Sequence, residues 1–290
     1  MKKIHQRKAF WRSRPGLRAV CFVFVAAAVL TGCKTFNTYT AESRPVSRPI
    51  VIDGKTDDWQ GDLYVVPGER LSIGFINDPD NLYVCLLTSD TFTRFQIMSQ
   101  GLTVWFDPKG GKEKVFGIKF PLGPPAGQQP KITMSETGDP VFDEPPGTSM
   151  NEFEIVRSEK EPVQRMEFSQ AKGLEIKVAS STGLIVYEMK IPIVQSGQDP
   201  VAVGSVPGKT VGIGFETGKV DISKMPRGNR GGMPGGGGAG RPPMGGGGAS
   251  GGMGMRGGIP EGLKVWALVQ LSTGASGRSS GVVSIVRVPD

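Results

Sequence analysis

Short segments in which every second side chain is apolar recur along most of this chain. In 102–106, for example, Leu102, Val104 and Phe106 alternate with Thr103 and Trp105. A period of two is typical of β-strands, and Gly, Pro, Asn and Asp residues separate the segments. Strands are predicted at 71–75, 101–106, 115–120, 164–168, 174–178, 184–191, 210–215, 263–271 and 282–288, and one short helix at Thr91–Gln100. Many short strands at this spacing predict an all-β fold, an antiparallel β-sandwich with long loops.

One segment, residues 227–258, does not fit the strand pattern. It holds 17 of the 43 glycines, together with four Met and four Arg residues. This composition buries too little apolar surface to offset the entropy of ordering, so we predict a disordered loop inserted between two strands of the domain. Its Arg-Gly-Gly triplets are similar to RNA-binding segments, and its methionines could hold Cu(I), but no aromatic, Cys or His residue supports either role. We interpret the segment as flexible filler.

The N-terminus has the pattern of a targeting segment. A basic stretch precedes twelve apolar residues, 19–30, which are too few to span a bilayer but suit a cleaved secretory signal. The sequence Leu30-Thr31-Gly32-Cys33 resembles the lipobox of bacterial lipoproteins, in which the cysteine is lipidated. We therefore expect a signal peptide at 1–32, a lipidated tether at 33–47 and one sandwich domain at 48–290. The alternative is an ordinary secretory signal with a chance cysteine.

That resemblance also predicts a location. A lipid on Cys33 would anchor the chain to a membrane, and Lys34 at the next position resembles lipoproteins that are sorted to the outer membrane. We expect a lipid-anchored protein of the cell envelope, in the outer membrane and facing the periplasm.

Composition excludes several kinds of function. Residues 1–32 contain seven of the 34 Lys/Arg residues, none of the 27 acidic residues and the only histidine, so the remaining chain carries 27 charges of each sign. A neutral chain argues against a nucleic-acid-binding surface, and without histidine it can form no His-dependent catalytic or metal site. Cys85 is predicted to be a buried strand residue. Acidic residues within 139–144 could bind Ca²⁺, although we interpret them as solvated, and we predict no metal or cofactor.

Three sequence pieces, in order, resemble one known family. Residues 50–59, Ile-Val-Ile-Asp-Gly-Lys-Thr-Asp-Asp-Trp, look like the Ile-Asp-Gly-x-x-Asp-x-Trp opening of family 9 carbohydrate-binding modules and their relatives with a DOMON-like sandwich. Residues 80–84 and 186–192 resemble that family's Asp-x-Leu-Tyr-Val and Tyr-Glu-x-x-Ile-Pro strands. The resemblance spans about residues 50–220 and implies a DOMON-like, immunoglobulin-like sandwich. Independently of any ligand, Asp53-Gly54 can form a turn, and Trp59 can plug one end of the sandwich.

The strand at 101–106 supplies a speculative ligand site. If Leu102, Val104 and Phe106 face the core, Trp105 points outward and could be a stacking platform for a sugar, or it could pack beneath a loop such as 122–148. Asp107 ends this strand, and Lys119 lies on the expected partner strand of a hairpin that turns through 107–111. Because paired side chains lie about 5 Å apart across such a hairpin, Trp105, Asp107 and Lys119 could converge on a hydroxylated ring.

We weigh three functions. The first is a non-catalytic binding module with a carbohydrate as ligand. The second is a structural or assembly lipoprotein that binds another envelope protein. The third is a carbohydrate-active enzyme, because carboxylates are abundant, but no spacing identifies a catalytic pair and we predict no catalytic residue.

Overall fold

The computed structural model describes residues 37–125, 132–134, 140–142, 149–157, 161–181, 183–197, 201–219, 262–274 and 286–287. The predicted signal peptide, Cys33 and the segment 227–258 lie outside these residues. Among the described residues, no helix is long and apolar enough to cross a bilayer.

Two β-sheets contain 14 of the 16 strands in the described residues. In chain order the elements are β1 (Asn37–Glu42), β2 (Arg44–Pro45), a 3-10 turn (Asp57–Trp59), β3 (Leu63–Val65), β4 (Leu71–Asn77), β5 (Asn81–Thr88), α1 (Thr91–Gln100), β6 (Leu102–Asp107), β7 (Phe116–Phe120), β8 (Ile132–Met134), β9 (Pro140–Phe142), β10 (Glu152–Val156), β11 (Gln164–Glu167), a 3-10 turn (Phe168–Gln170), β12 (Glu175–Ser181), β13 (Leu184–Pro192), β14 (Thr210–Thr217), β15 (Lys264–Gln270) and β16 (Val286–Arg287).

The larger sheet has eight strands in the order β11-β10-β7-β6-β14-β15-β1-β16. The smaller has six, in the order β12-β13-β5-β4-β2, with β3 also paired to β4, and β8 and β9 form a separate hairpin. One hydrophobic core lies between the two sheets and receives Phe75 and Leu86 from the smaller sheet and Phe106 and Phe215 from the larger. This arrangement confirms the all-β sandwich.

The side-chain alternation of the predicted strands is confirmed on β6. Leu102, Val104 and Phe106 are fully buried in the core, and β6 pairs with β7 in an antiparallel hairpin that places Thr103 opposite Lys119. Trp105 is not part of the core, so it lies on the outer face of the sheet, as predicted.

The prediction of a tether over residues 33–47 is wrong from Asn37 onward. Strand β1 pairs in parallel with β15, and its Tyr39 is buried in the core. Strand β2 then pairs in parallel with β4, so the sandwich is not purely antiparallel and the domain begins before residue 48. The segment looked polar because Thr38, Thr40 and Glu42 fill the outward positions of a strand whose partner lies more than 200 residues away in sequence.

The predicted helix α1 is confirmed, and both of its ends have local causes. The side chain of Asp90 accepts a hydrogen bond from the Thr93 N–H at 2.8 Å, which satisfies a free donor of the first turn. Gly101 follows with a φ of 82°, a conformation that favours glycine, and its N–H binds the Ile97 carbonyl.

One end of the larger sheet is where two long segments begin. Leu102 pairs with both Phe120 and Thr217, so the ends of β7 and β14 lie side by side at the start of β6. The chain leaves this end after Phe120 towards 126–148 and after Thr217 towards 220–261.

Candidate ligand-binding surface

The outer face of the eight-stranded sheet carries two tryptophans in one cross-strand row. The paired residues of this row, which we call the tryptophan row, are Gly117, Trp105, Gly214, Trp266 and Thr38. Each tryptophan has a glycine on a neighbouring strand, and this explains why β7 and β14 have glycines among their β-branched and aromatic residues.

The glycines allow the two indole rings to lie against the sheet. A Cβ atom added at Gly117 would stand 2.7 Å from Cε3 of Trp105, and one added at Gly214 would stand 2.6 Å from Cε2 of Trp266. Both distances are too short for any side chain, so the rings occupy the space above the glycine backbone. The orientation of Trp105 therefore depends on Gly117 as much as on its own strand.

Trp105 is held by a lysine and a glutamate. Its Nε1–H donates a hydrogen bond to Oε2 of Glu216 at 3.1 Å. The ammonium of Lys114, from the loop between β6 and β7, lies 4.9 Å from the indole centroid and also contacts Glu216 Oε2. The residue Trp105 is only 8% exposed and Trp266 only 2%, so neither ring is an open stacking platform in this structure. Lys114 would have to leave the ring of Trp105 before a ligand could stack on it.

Asp107 lies on the same face of β6, but its carboxylate is used inside the hairpin. Its two oxygens accept hydrogen bonds from the N–H groups of Lys109, at 3.0 Å, and Glu113, at 2.9 Å. The residue is only 1% exposed. Asp107 therefore holds the turn that carries Lys114 and is closed to a ligand in this conformation.

Lys119 is paired on the side away from Trp105. Its ammonium lies 3.6 Å from Glu154, which also binds Arg165 at 2.9 Å. The structure thus places all three predicted site residues on one outer face, but Asp107 and Lys119 each have other partners. A sugar contact at Trp105 stays a prediction.

A row of polar side chains runs beside the tryptophan row. Its paired members alternate in charge apart from one threonine: Arg165, Glu154, Lys119, Thr103, Glu216 and Lys264. Glu216 is the functional candidate that sequence reasoning missed. The alternation of β14 would have placed it on the outer face, but only the strand register shows that it adjoins Trp105.

The opening motif of the domain has a structural role on the other sheet. Glu188 of β13 is fully buried on the outer face of the smaller sheet and accepts three N–H groups: Trp59 Nε1 at 2.7 Å, Asp53 N at 3.0 Å and Gly54 N at 2.5 Å. Two of the three sequence pieces that carried the family resemblance therefore meet at this carboxylate.

Trp59 does not plug an end of the sandwich, which corrects the sequence interpretation. It packs with Ile76, Tyr83, Cys85 and Val186 in a second hydrophobic cluster on the outer face of the smaller sheet. The alternation of β5 explains the difference, because Tyr83 and Cys85 point away from the main core while Leu82 and Val84 point into it.

Burial in this second cluster changes the acidity of two groups. Removal from water raises the pKa of Glu188, although its hydrogen bonds from Trp59 and Gly54 act in the opposite direction. Burial, with the nearby charge of Glu188, raises the pKa of the Cys85 thiol well above its usual range. Cys85 is a buried strand residue, as predicted, and its thiol is protonated at neutral pH.

No arrangement for metal binding accompanies these sites. Within the described ranges, no three His, Cys, Asp or Glu side chains stand close enough together to hold a metal ion.

Comparison with known proteins gives the following result. No protein-family model matches the chain, and no curated protein matches it. Among solved structures, the chain is similar to a family 9 carbohydrate-binding module from Caldicellulosiruptor kristjanssonii in complex with glucose, at 11% identity over 64% of this chain and 80% of that one, with a TM-score of 0.31. It is also similar to a family 9 module from that organism in complex with cellotriose, at 12% identity over 63% and 78% of the two chains, with a TM-score of 0.32. Likeness at this level carries no argument about a ligand.

Proposed function

We propose that this chain is a non-catalytic lipoprotein of the cell envelope whose β-sandwich binds a glycan at Trp105. Cys33 would carry the lipid and hold the protein on the outer membrane, facing the periplasm. The observation that supports the binding function is the placement of Trp105 outside the core, beside the carboxylate of Glu216 and the ammonium of Lys114.

This combination of groups suits a sugar ring. A pyranose has an apolar face that packs on an indole, and hydroxyl groups around its edge that need hydrogen-bond donors and acceptors. Glu216 supplies acceptors, and the hydroxyl of Thr103, which can donate or accept, lies next to Glu216 in the polar row. Lys114 is 36% exposed in its side chain and comes from a loop, so it can move off the ring when a ligand arrives.

The test begins with the soluble domain, made with Cys33→Ser, on an array of envelope and plant glycans. Any glycan that binds is then titrated by calorimetry against Trp105→Ala. By analogy with stacking of a base on an aromatic side chain, loss of the indole should cost about 1–3 kcal/mol of binding free energy.

Trp266→Phe is the control, because Trp266 belongs to the same row but is almost fully buried. It should bind as the unaltered protein does. Unchanged affinity of a folded Trp105→Ala variant would place the site elsewhere. Recovery of one stoichiometric protein partner from the envelope, without any signal on the array, would favour an assembly lipoprotein instead.

The anchor is tested separately in cells. A clickable palmitate analogue should label the full chain and should not label Cys33→Ser. After cell fractionation, the full chain should sediment with the outer membrane, and the variant should not. Labelling of the variant would contradict lipidation at Cys33.

A further inference from the structure

The ammonium of Lys114 occupies a position that has the chemistry of a binding site. Lys114 Nζ stands 4.9 Å from the centroid of the Trp105 indole and contacts Oε2 of Glu216. That same oxygen accepts the indole Nε1–H at 3.1 Å. An aromatic face and a carboxylate therefore converge on one positive charge.

Both parts of this site favour a cation over a neutral group. The face of an indole attracts a positive charge through its quadrupole, and a carboxylate with one free direction binds an N–H donor strongly. A single shared oxygen suits the compact charge of an ammonium better than the planar fork of a guanidinium, which prefers two parallel bonds.

Trp105 and Glu216 are held in place more firmly than Lys114. Trp105 lies against the backbone of Gly117, is 8% exposed and is tied to Glu216, which stands on the paired strand β14. Lys114 belongs to the loop that joins β6 to β7, and 36% of its side chain is exposed. The rigid groups can therefore keep their positions while the lysine exchanges with another ammonium.

We infer that Trp105 and Glu216 form a recognition site for a primary ammonium group, which Lys114 fills when no ligand is bound. This inference rests on the proposed function and narrows its ligand class: the glycan is one that carries free amino groups, such as a de-N-acetylated amino sugar. A neutral sugar would leave Glu216 without a cation once Lys114 has moved. The ammonium of an amino sugar would instead take the place of the Lys114 ammonium beside Glu216.

Replacing Lys114 should strengthen ligand binding, whereas replacing an ordinary ligand contact weakens it. Because its ammonium competes with the ligand, Lys114→Met should strengthen binding of an amino sugar by about two- to fivefold, the worth of one exposed cation–π contact. Glu216→Gln should weaken binding of the amino sugar and remove the preference for it. Added salt should also reduce that preference, because the charges lie at the surface.

The experiment is a calorimetric titration of a β-1,4-linked glucosamine tetramer and of its fully N-acetylated counterpart. At low ionic strength and mildly acidic pH, the amine tetramer should bind about tenfold more tightly, a difference typical of one charge-assisted contact at a partly desolvated site. The indole Nε1–H resonance of Trp105 should shift during the titration. Lys264→Met is the control for Lys114→Met, since Lys264 pairs with the other side of Glu216, and it should leave affinity unchanged.

Each outcome separates this inference from the proposed function. Equal or tighter binding of the acetylated tetramer at Trp105 would overturn the ammonium site and leave glycan binding intact. Weaker amine binding by a folded Lys114→Met variant would show that Lys114 contacts the ligand, and would also overturn it. A lysine-rich peptide, titrated in the same way, is a third probe. Binding of this peptide at Trp105, with neither tetramer bound, would keep the ammonium site but reject a glycan as its ligand. Failure of all three probes would reject the site.

Discussion

Replacement of Trp59 by Phe should destabilise the domain far more than the small change in volume suggests. The indole is fully buried on the outer face of the smaller sheet, and its Nε1–H is one of three donors to the buried carboxylate of Glu188. Phe retains most of the apolar contacts of the indole but has no N–H. The variant therefore measures mainly the hydrogen bond between position 59 and Glu188.

The expected loss follows from two contributions. A hydrogen bond to a charged group contributes about 1.5–3 kcal/mol to stability when its partner remains buried. Loss of part of the indole ring adds about 1 kcal/mol, which is the typical loss of stability when a buried side chain is shortened only slightly. We therefore expect Trp59→Phe to lower the free energy of unfolding by about 2.5–4 kcal/mol, a large part of the 5–15 kcal/mol typical of a domain.

Urea denaturation at pH 7, followed by circular dichroism, gives the free energies of unfolding. A double-mutant cycle with Glu188→Gln isolates the pair, and we expect a coupling energy of about 1–2 kcal/mol between the two positions. If Trp59→Phe cost less than about 1 kcal/mol and the cycle showed no coupling, the carboxylate would not depend on the indole donor and the reasoning would be refuted.

Three further predictions concern single groups. Burial raises the pKa of Glu188 above its usual value of 4.5, so this carboxyl loses its proton at a lower pH in the unfolded chain than in the folded one. The free energy of unfolding should therefore fall as the pH rises from 4.5 to the raised pKa. Urea titrations from pH 4 to 7 should show this loss in the unaltered protein and not in Glu188→Gln. Cys85 should resist maleimide in the native protein and react on unfolding, and rapid native labelling would contradict its burial. Gly117→Ala, which puts a Cβ 2.7 Å from the Trp105 ring, should cost about 1–3 kcal/mol and move the indole N–H resonance, whereas Gly197→Ala, with open space around it, should change stability by less than about 0.5 kcal/mol.

Local sequence pattern was sufficient for the elements whose signals are local. The alternation in β6 predicted both its buried face and the outward position of Trp105, and the Asp90 cap with Gly101 brackets the predicted helix. Strand β1 escaped prediction because its pairing depends on β15, far along the chain, and because only two of its six side chains lie in the core.

The candidate site was predicted only in part, for the same physical reason. Trp105 follows from alternation within one strand, but Glu216 reaches it through the register between β6 and β14. The position of Lys114 depends on the turn that Asp107 holds with two backbone N–H groups. Asp107 looked like a ligand contact because the sequence does not show that its oxygens are already bound.

Glu188 and Glu216, one on each outer face of the sandwich, are bound in different ways, and this difference indicates which of the two carboxylates is open to a ligand. Glu188 is bound by two backbone N–H groups and an enclosed indole, none of which can leave without unfolding the segment around Asp53. Glu216 is 24% exposed in its side chain and shares one oxygen between a fixed indole and a lysine on a loop. Only the second carboxylate has a partner that can be exchanged while the fold stays intact. The motif at 50–59 therefore has a structural role at Glu188, and the proposed ligand site is the one at Glu216 and Trp105.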